Sequence, residues 1–350
     1  MPKELNQHFV GEHLIDKGAV FQYCKDRLKE YLINNKLNRV LYLGVAYRYP
    51  DLLNNVDSAR FSQAIDDLKY VCQFLHSMNF VVLKGLPLNV QMLPNIWNRR
   101  TSDIDILVPE EDLDTLAHIL LNNQFEYTNG IYTTYLDDTL MKFEDNHHIH
   151  SFIKRLDDRV ITIEPHRHPF SKKRIDYGAD TYQIDVPKML RCAESINMPG
   201  DFSVKVLNIN EQFVQLIMHF TTHILAEIRA YIFRLRPFNY PFQQLHCCTL
   251  FYLVKVNELS LDKLIETACR WGVTYDMKYA LRVMKEVYRI ESTLIDNLIS
   301  QLNEKENPNR VGYRSFRILF YNISQKNLVF KADDILEALQ ENNYISVQPL

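Results

Sequence analysis

Glycine is scarce in this chain of 350 residues, which holds nine, and no Gly/Ser-rich or Pro-rich run occurs. Long flexible linkers are thereby excluded. No internal repeat is visible, which excludes a solenoid or propeller. No apolar run reaches the length of a membrane span, because the longest are broken by His, Gln or Lys, so no membrane partner is expected. The first residues, MPKELNQHFVGEHLIDKG, lack the continuous apolar stretch of a secretory signal. The six cysteines (Cys24, Cys72, Cys192, Cys247, Cys248 and Cys269) contain no C-x-x-C pair. Their spread fits buried thiols in a reducing compartment, and a cytoplasmic location is expected. Positive charge is not in excess either. The formal net charge of -3 argues against a protein that holds nucleic acid by bulk electrostatics, while a local basic groove stays compatible with it.

What is present is ordinary for a globular protein: 47% hydrophobic and 24% charged residues. Apolar residues at helical spacing mark AVFQYCKDRLKEYLINN and SARFSQAIDDLKYVCQFLHSMN as helices. FVVLKG then reads as a short strand ended by Gly85, DIDILVP as a second strand closed by Pro109, and EEDLDTLAHILLNNQF as a helix with an acidic first turn. GIYTTYLDDTLMKFE, HHIHSFIKR and the alternating RVITIEPH read as further strands. Beyond about residue 185 the pattern is helical to the end. The turn residues of SKKRIDYGAD and NMPGDFS place a boundary near 170–205. The expectation is therefore an α+β chain with a helical N-terminal segment over 1–56, a small mixed sheet flanked by helices over 57–185, and a mostly helical C-terminal domain over 186–350.

One stretch is out of place on physical grounds. DIDILVP puts Asp103 and Asp105 inside what reads as a buried strand. Residues i and i+2 of a strand share a face, so the two carboxylates would project together while Ile104, Ile106 and Val108 face the core. Paired carboxylates repel, and one must protonate unless a cation compensates them. A divalent cation would do so. Oxygen ligands and incomplete coordination suit Mg²⁺, or Mn²⁺, with substrate phosphates as the remaining ligands. A third carboxylate on a neighbouring strand would complete a two-metal site, and Glu164, which shares a face with Val160 and Thr162, is the candidate.

The same residues carry a resemblance. D-x-D on a strand, preceded by a Lys-Gly turn, looks like the nucleotidyltransferase fold of the DNA polymerase β superfamily. More closely, Lys84-Gly85, Arg99 four residues before the first aspartate, and Asp103-Ile104-Asp105 resemble the family of uncharacterised nucleotidyltransferases, and more weakly the AbiEii-type toxin nucleotidyltransferases. Glu164-Pro165-His166 matches an acidic-x-His motif of the first family, and His219 and His223 in MHFTTH fall where its helical histidines would. The similarity covers roughly residues 60–290, and its specific block is 83–109. The turn is Lys-Gly-Leu where the superfamily usually has Gly-Gly or Gly-Ser, and Pro165 after the third acid is unusual.

The resemblance implies transfer of NMP from an NTP to a hydroxyl or phosphate of an acceptor: a peptide, protein or small molecule rather than RNA. Asp103, Asp105 and Glu164 would hold metal, with Glu164 also helping to deprotonate the acceptor. Gly85 would let backbone approach a phosphate. Lys84, Arg99 and Arg100 would offset triphosphate charge, and Ser102 would donate a hydrogen bond to it. His166, His219 and His223 are candidate substrate contacts. Two rival readings are a toxin-like enzyme acting on tRNA and a binding protein that keeps the fold without turnover. His147, His148 and His150 lie near His166 and His168 in sequence, but no zinc-type spacing accompanies them.

Overall fold

The structure is a computed structural model. It describes residues 58–92, 103–137, 147–157, 159–170, 184–232, 247–249, 251–252, 255–288, 290 and 292–304. The expected N-terminal helical segment, Arg99, Arg100, Ser102 and the last helix read from the sequence lie outside these residues.

A five-stranded mixed sheet forms the centre, in the order β1-β2-β5-β4-β3. Its strands are β1 (Val81–Leu83), β2 (Ile104–Leu107), β3 (Glu126–Tyr127), β4 (Phe152–Arg155) and β5 (Val160–His166). β1 pairs antiparallel with β2, β2 parallel with β5, and β5 antiparallel with β4, which pairs in turn with β3. Helix α1 (Ser58–Phe74) precedes the sheet, α2 (Gly85–Met92) follows β1 directly, and α3 (Leu113–Asn122) follows β2 after a short 3₁₀ turn at Glu110–Asp112. The chain is thus α+β, with a small mixed sheet flanked by helices.

Alternation divides the sheet's two faces. Ile106, Val108, Ile161, Ile163 and Phe152 pack with the α3 stripe Leu113, Leu116, Ala117 and Leu120. That spacing of i, i+3, i+4, i+7 is the buried side of an amphipathic helix. Val81, Leu83 and Leu107 belong to a second cluster, with residues of the helical region that follows. That region contains α4 (Val186–Arg191), the long α5 (Ile209–Ile232), α6 (Leu261–Trp271), α7 (Thr274–Tyr288) and α8 (Thr293–Glu304). The second face of the sheet is therefore roofed by helices. A 2.6 Å ion pair between Arg270 and the buried Glu211 ties α6 to the start of α5.

Three local departures from the sequence reading have physical causes. First, the region after residue 185 is not wholly helical: β6 (Glu194–Met198) and β7 (Phe202–Val206) form a separate hairpin. Its turn uses Gly200 and Asp201, both at positive φ, so the turn residues of NMPGDFS serve this hairpin. Val204, Val206 and Met198 then pack against Ile65 and Leu68 of α1 and Val82 of β1. Second, Ile131–Thr134 are not a strand and residues 135–137 form a helical turn. The Asp114 carboxylate accepts from the Tyr135 backbone N–H at 2.8 Å, and the Tyr132 ring packs edge-on to Tyr127, which draws this segment off the sheet. Third, β2 begins at Ile104, so Asp103 stands one residue before the strand.

Pro165 lies in a central strand, where its missing N–H should leave a gap in the ladder. The register shows how it is accommodated. Phe152 faces Ile163, but the next bridge joins His148 to His166. Between these two pairs, three residues on one side (Ile149, His150 and Ser151) are thus matched to two on the other (Glu164 and Pro165), an extra residue that defines a β-bulge. Ile149 N–H donates to the Pro165 carbonyl at 3.0 Å across it.

Among the described residues no helix is long and apolar enough to cross a membrane. Cys72, Cys192 and Cys248 are free thiols, and burial pushes Cys72 up to about 11. At pH 8 a thiol reagent should therefore label exposed Cys192 well before Cys72, read by peptide mass spectrometry; equal rates would contradict this burial. Ile106 is fully buried and Ile131 is 92% exposed. Ile106→Ala should lower unfolding stability by about 2–5 kcal/mol in urea titration, and Ile131→Ala should change it by no more than about 0.5 kcal/mol.

Candidate metal and nucleotide site

The site is made by strand register. Leu83 faces Asp105 across β1–β2, and Asp105 faces Glu164 across β2–β5. Two pairs further along, Val81 faces Leu107 and Leu107 faces His166. Residues paired across a ladder share a face, so Asp105, Glu164 and His166 all project from the helix-roofed side. Their ligand atoms lie within 4.8 Å of one another. They are the one such group of three His, Cys, Asp or Glu side chains found among the described residues.

Asp105 is 8% exposed and His166 1%. Burial alone would push the Asp105 carboxyl up, but the Lys84 ammonium, the His166 imidazole with its hydrogen bond, and His219 together hold it well below the usual carboxylate range. His166 Nε2 lies 2.8 Å from Asp105 Oδ1. An ionised carboxylate only accepts, so Nε2 carries the proton and donates. Lys84 Nζ lies 3.9 Å from Asp105 Oδ2, with both side chains nearly buried. That is too long for a hydrogen bond. At an effective dielectric near 20 it is still worth about 4 kcal/mol, enough to matter against desolvation.

The turn that places Lys84 is itself unusual. Lys84, between β1 and α2, has φ 47°, and Gly85, the first residue of α2, has φ 49°, two successive left-handed residues. Glycine adopts this conformation freely, whereas lysine does so at a cost of about 1 kcal/mol or more. The reversal lets the Lys84 carbonyl accept the first helical hydrogen bond, from Leu88 N–H at 3.3 Å. It also leaves the Lys84 side chain beside Asp105.

Glu164 is the most exposed of the three, at 26% of its side chain. Ser151 Oγ donates to its Oε1 at 3.1 Å, and its Oε2 lies 4.0 Å from His166 Nε2. The bulge at Pro165 brings His147 and His148 onto His166, with ring centroids 5.1 and 5.3 Å away. Burial, then the neighbouring His166, His148 and Lys84, push His147 far down, so it is neutral. On the roof, His219 of α5 acts on Asp105 through its charge, and its ring meets His223 at 4.6 Å.

The structure therefore brings together Lys84, Asp105, Glu164 and His166, with His219 acting on Asp105 from above. Asp103 is half-buried just ahead of β2 and is not one of the three clustered ligands. The roles of Ser151, His147 and His148 were not assigned from the sequence. Their signal was present in HHIHS, but it is readable only once the bulge register aligns that stretch with Glu164-Pro165-His166.

The donor set suits a metal ion: two carboxylates held ionised or exposed, plus an imidazole nitrogen aimed between them. Without metal, Asp105 has a folded pKa below its unfolded one. Its contribution to stability is complete above about pH 4 and is lost as pH falls from there towards the folded value. In chelator-treated protein, wild type should lose stability relative to Asp105→Asn by about 1.4 kcal/mol per pH unit below pH 4, read from urea midpoints. A difference that stays flat between pH 5 and pH 3 would contradict the placement of Lys84 and His166 around an ionised Asp105.

No curated protein matches the chain. The family model described as uncharacterised nucleotidyltransferase matches residues 59–289, which include both the sheet that carries Asp105, Glu164 and His166 and the roofing helices α4 to α7. The chain belongs to this nucleotidyltransferase family.

Proposed function

We propose that the protein is a metal-dependent nucleotidyltransferase that moves NMP from an NTP to a hydroxyl or phosphate oxygen of a peptide, protein or small-molecule acceptor. The observation that carries this reading is the face-sharing Asp105 and Glu164 on parallel strands, with Lys84 at the Lys-Gly turn beside them. In the reaction, the acceptor oxygen attacks the α-phosphorus of the NTP. The bond from that phosphorus to the α,β-bridging oxygen breaks, and pyrophosphate leaves with the electron pair.

The residues divide the work by position. Asp105 and Glu164 would hold a divalent cation, with Asp103 reaching it from the strand's start; the cation would neutralise the charge that develops on the phosphates. Glu164, the partly exposed carboxylate, would also accept the acceptor's proton. Lys84 would turn from Asp105 to the triphosphate once a cation takes its place as counter-ion. Gly85 has no Cβ at the turn that opens α2, so phosphate oxygens can come close to its backbone. His219 and His223, on the roofing helix, would meet the acceptor or the nucleotide from the opposite side. Arg99, Arg100 and Ser102 would bind the triphosphate from the segment before β2.

The test needs no acceptor. Calorimetry with each NTP and Mg²⁺ or Mn²⁺ should show metal-dependent binding to wild type and a loss of at least about a hundredfold in the double variant Asp103→Asn plus Asp105→Asn. Equal binding by the double variant, or none by wild type, would overturn the reading. Metal-dependent binding with no pyrophosphate released in the presence of candidate acceptors would favour a nucleotide-binding protein that has kept the fold.

A further inference from the structure

The carboxylates of this site are joined by a nitrogen donor. His166 is 1% exposed and sits two residues from Glu164 on the same strand face. Its Nε2 is directed between the carboxylates, 2.8 Å from Asp105 Oδ1 and 4.0 Å from Glu164 Oε2. Its Nδ1 is buried and meets no hydrogen-bond partner among the described residues. The ring is instead fixed by packing against His147 and His148. A buried imidazole held by packing, with one nitrogen directed at two carboxylates, has the placement of a ligand as much as of a hydrogen-bond donor.

We propose that His166 is a metal ligand, and that the site consequently takes a first-row transition-metal dication, for which Mn²⁺ serves as the probe, in preference to Mg²⁺. Mg²⁺ demands near-ideal octahedral oxygen coordination and seldom takes imidazole. Imidazole nitrogen favours the first-row transition metals, increasingly so from Mn²⁺ to Cu²⁺, and Mn²⁺ also accepts the carboxylate oxygens that suit Mg²⁺. On binding, Nε2 gives up its proton and Nδ1 takes one from solvent, so the ring stays neutral and the Nε2 lone pair turns to the metal. The hydrogen bond to Asp105 is exchanged for a shared cation, and the charge balance Lys84 helps to supply is taken over by the ion. The identification rests on the nucleotidyltransferase reading only for the use made of the metal; the binding itself does not depend on it.

The test is pulsed electron paramagnetic resonance on the full chain with Mn²⁺ alone and no nucleotide, so a failure of nucleotidyl transfer leaves its outcome untouched. Wild type should show ¹⁴N modulation from one imidazole, and competition should show Mn²⁺ bound at least about tenfold more tightly than Mg²⁺. His166→Gln should lose the nitrogen signal, weaken Mn²⁺ binding by about tenfold or more, and narrow the preference over Mg²⁺. His148→Gln should keep the signal. Should His166→Gln fail to fold, wild type, His147→Gln, His148→Gln and His219→Gln still decide the matter, since only His166 accounts for a nitrogen signal that survives all three changes among the histidines around Asp105. Mn²⁺ bound without nitrogen modulation, a signal that persists in His166→Gln or vanishes in His148→Gln, or no Mn²⁺ bound by wild type would each overturn the assignment.

Discussion

Asp105 is a charge that has to be compensated inside a nearly closed layer between sheet and helices. An ionised carboxylate in that position is tolerated only because a cation and a strong donor stand against it. Lys84 and His166 come to it from opposite neighbours in the sheet, β1 and β5. The left-handed Lys84–Gly85 turn directs the first, and the bulge opposite Pro165 packs the second between two further histidines. Local features that look costly in isolation serve one balance of charge. They include a lysine at positive φ, a proline in a central strand and a neutral, half-buried histidine.

That balance also explains why the helical region packs where it does. Val81, Leu83 and Leu107, on the face that carries the site, share one core with α4 to α8. The apolar half of this face anchors the helices, and the polar end lies beneath α5, close enough for His219 to act on Asp105. Helices thereby exclude water around Asp105, which strengthens every charge interaction there. A helical cover over the acidic end of a small mixed sheet is a suitable frame for holding a nucleotide and its acceptor together.

Much of this was legible in the sequence for a simple reason: periodicity is local. The 3.6-residue stripe of Leu113, Leu116 and Leu120 and the two-residue alternation of Val160–Glu164 required no knowledge of neighbours. The anomaly of aspartates in an apolar strand pointed to the site, and the Lys-Gly turn and Glu-x-His motif pointed to the family. What stayed hidden depends on pairing between distant residues. The contact of His147 and His148 with His166, and of Ser151 with Glu164, follows from a bulged register that no spacing within HHIHS expresses. The β6–β7 hairpin escapes a reading by sequence because its turn residues resemble those of a domain boundary. Asp103 was placed inside β2 because the D-I-D alternation carries no mark of where pairing begins.

The central claim is that Asp105, Glu164 and His166 form one metal site. Anomalous diffraction from crystals grown with Mn²⁺ tests it most directly. A single strong peak within about 2.0–2.4 Å of Asp105, Glu164 and His166 Nε2, with Lys84 turned away from Asp105, is the predicted result. A peak held by other residues, or density that keeps His166 hydrogen-bonded to Asp105 with no ion between the carboxylates, would contradict it.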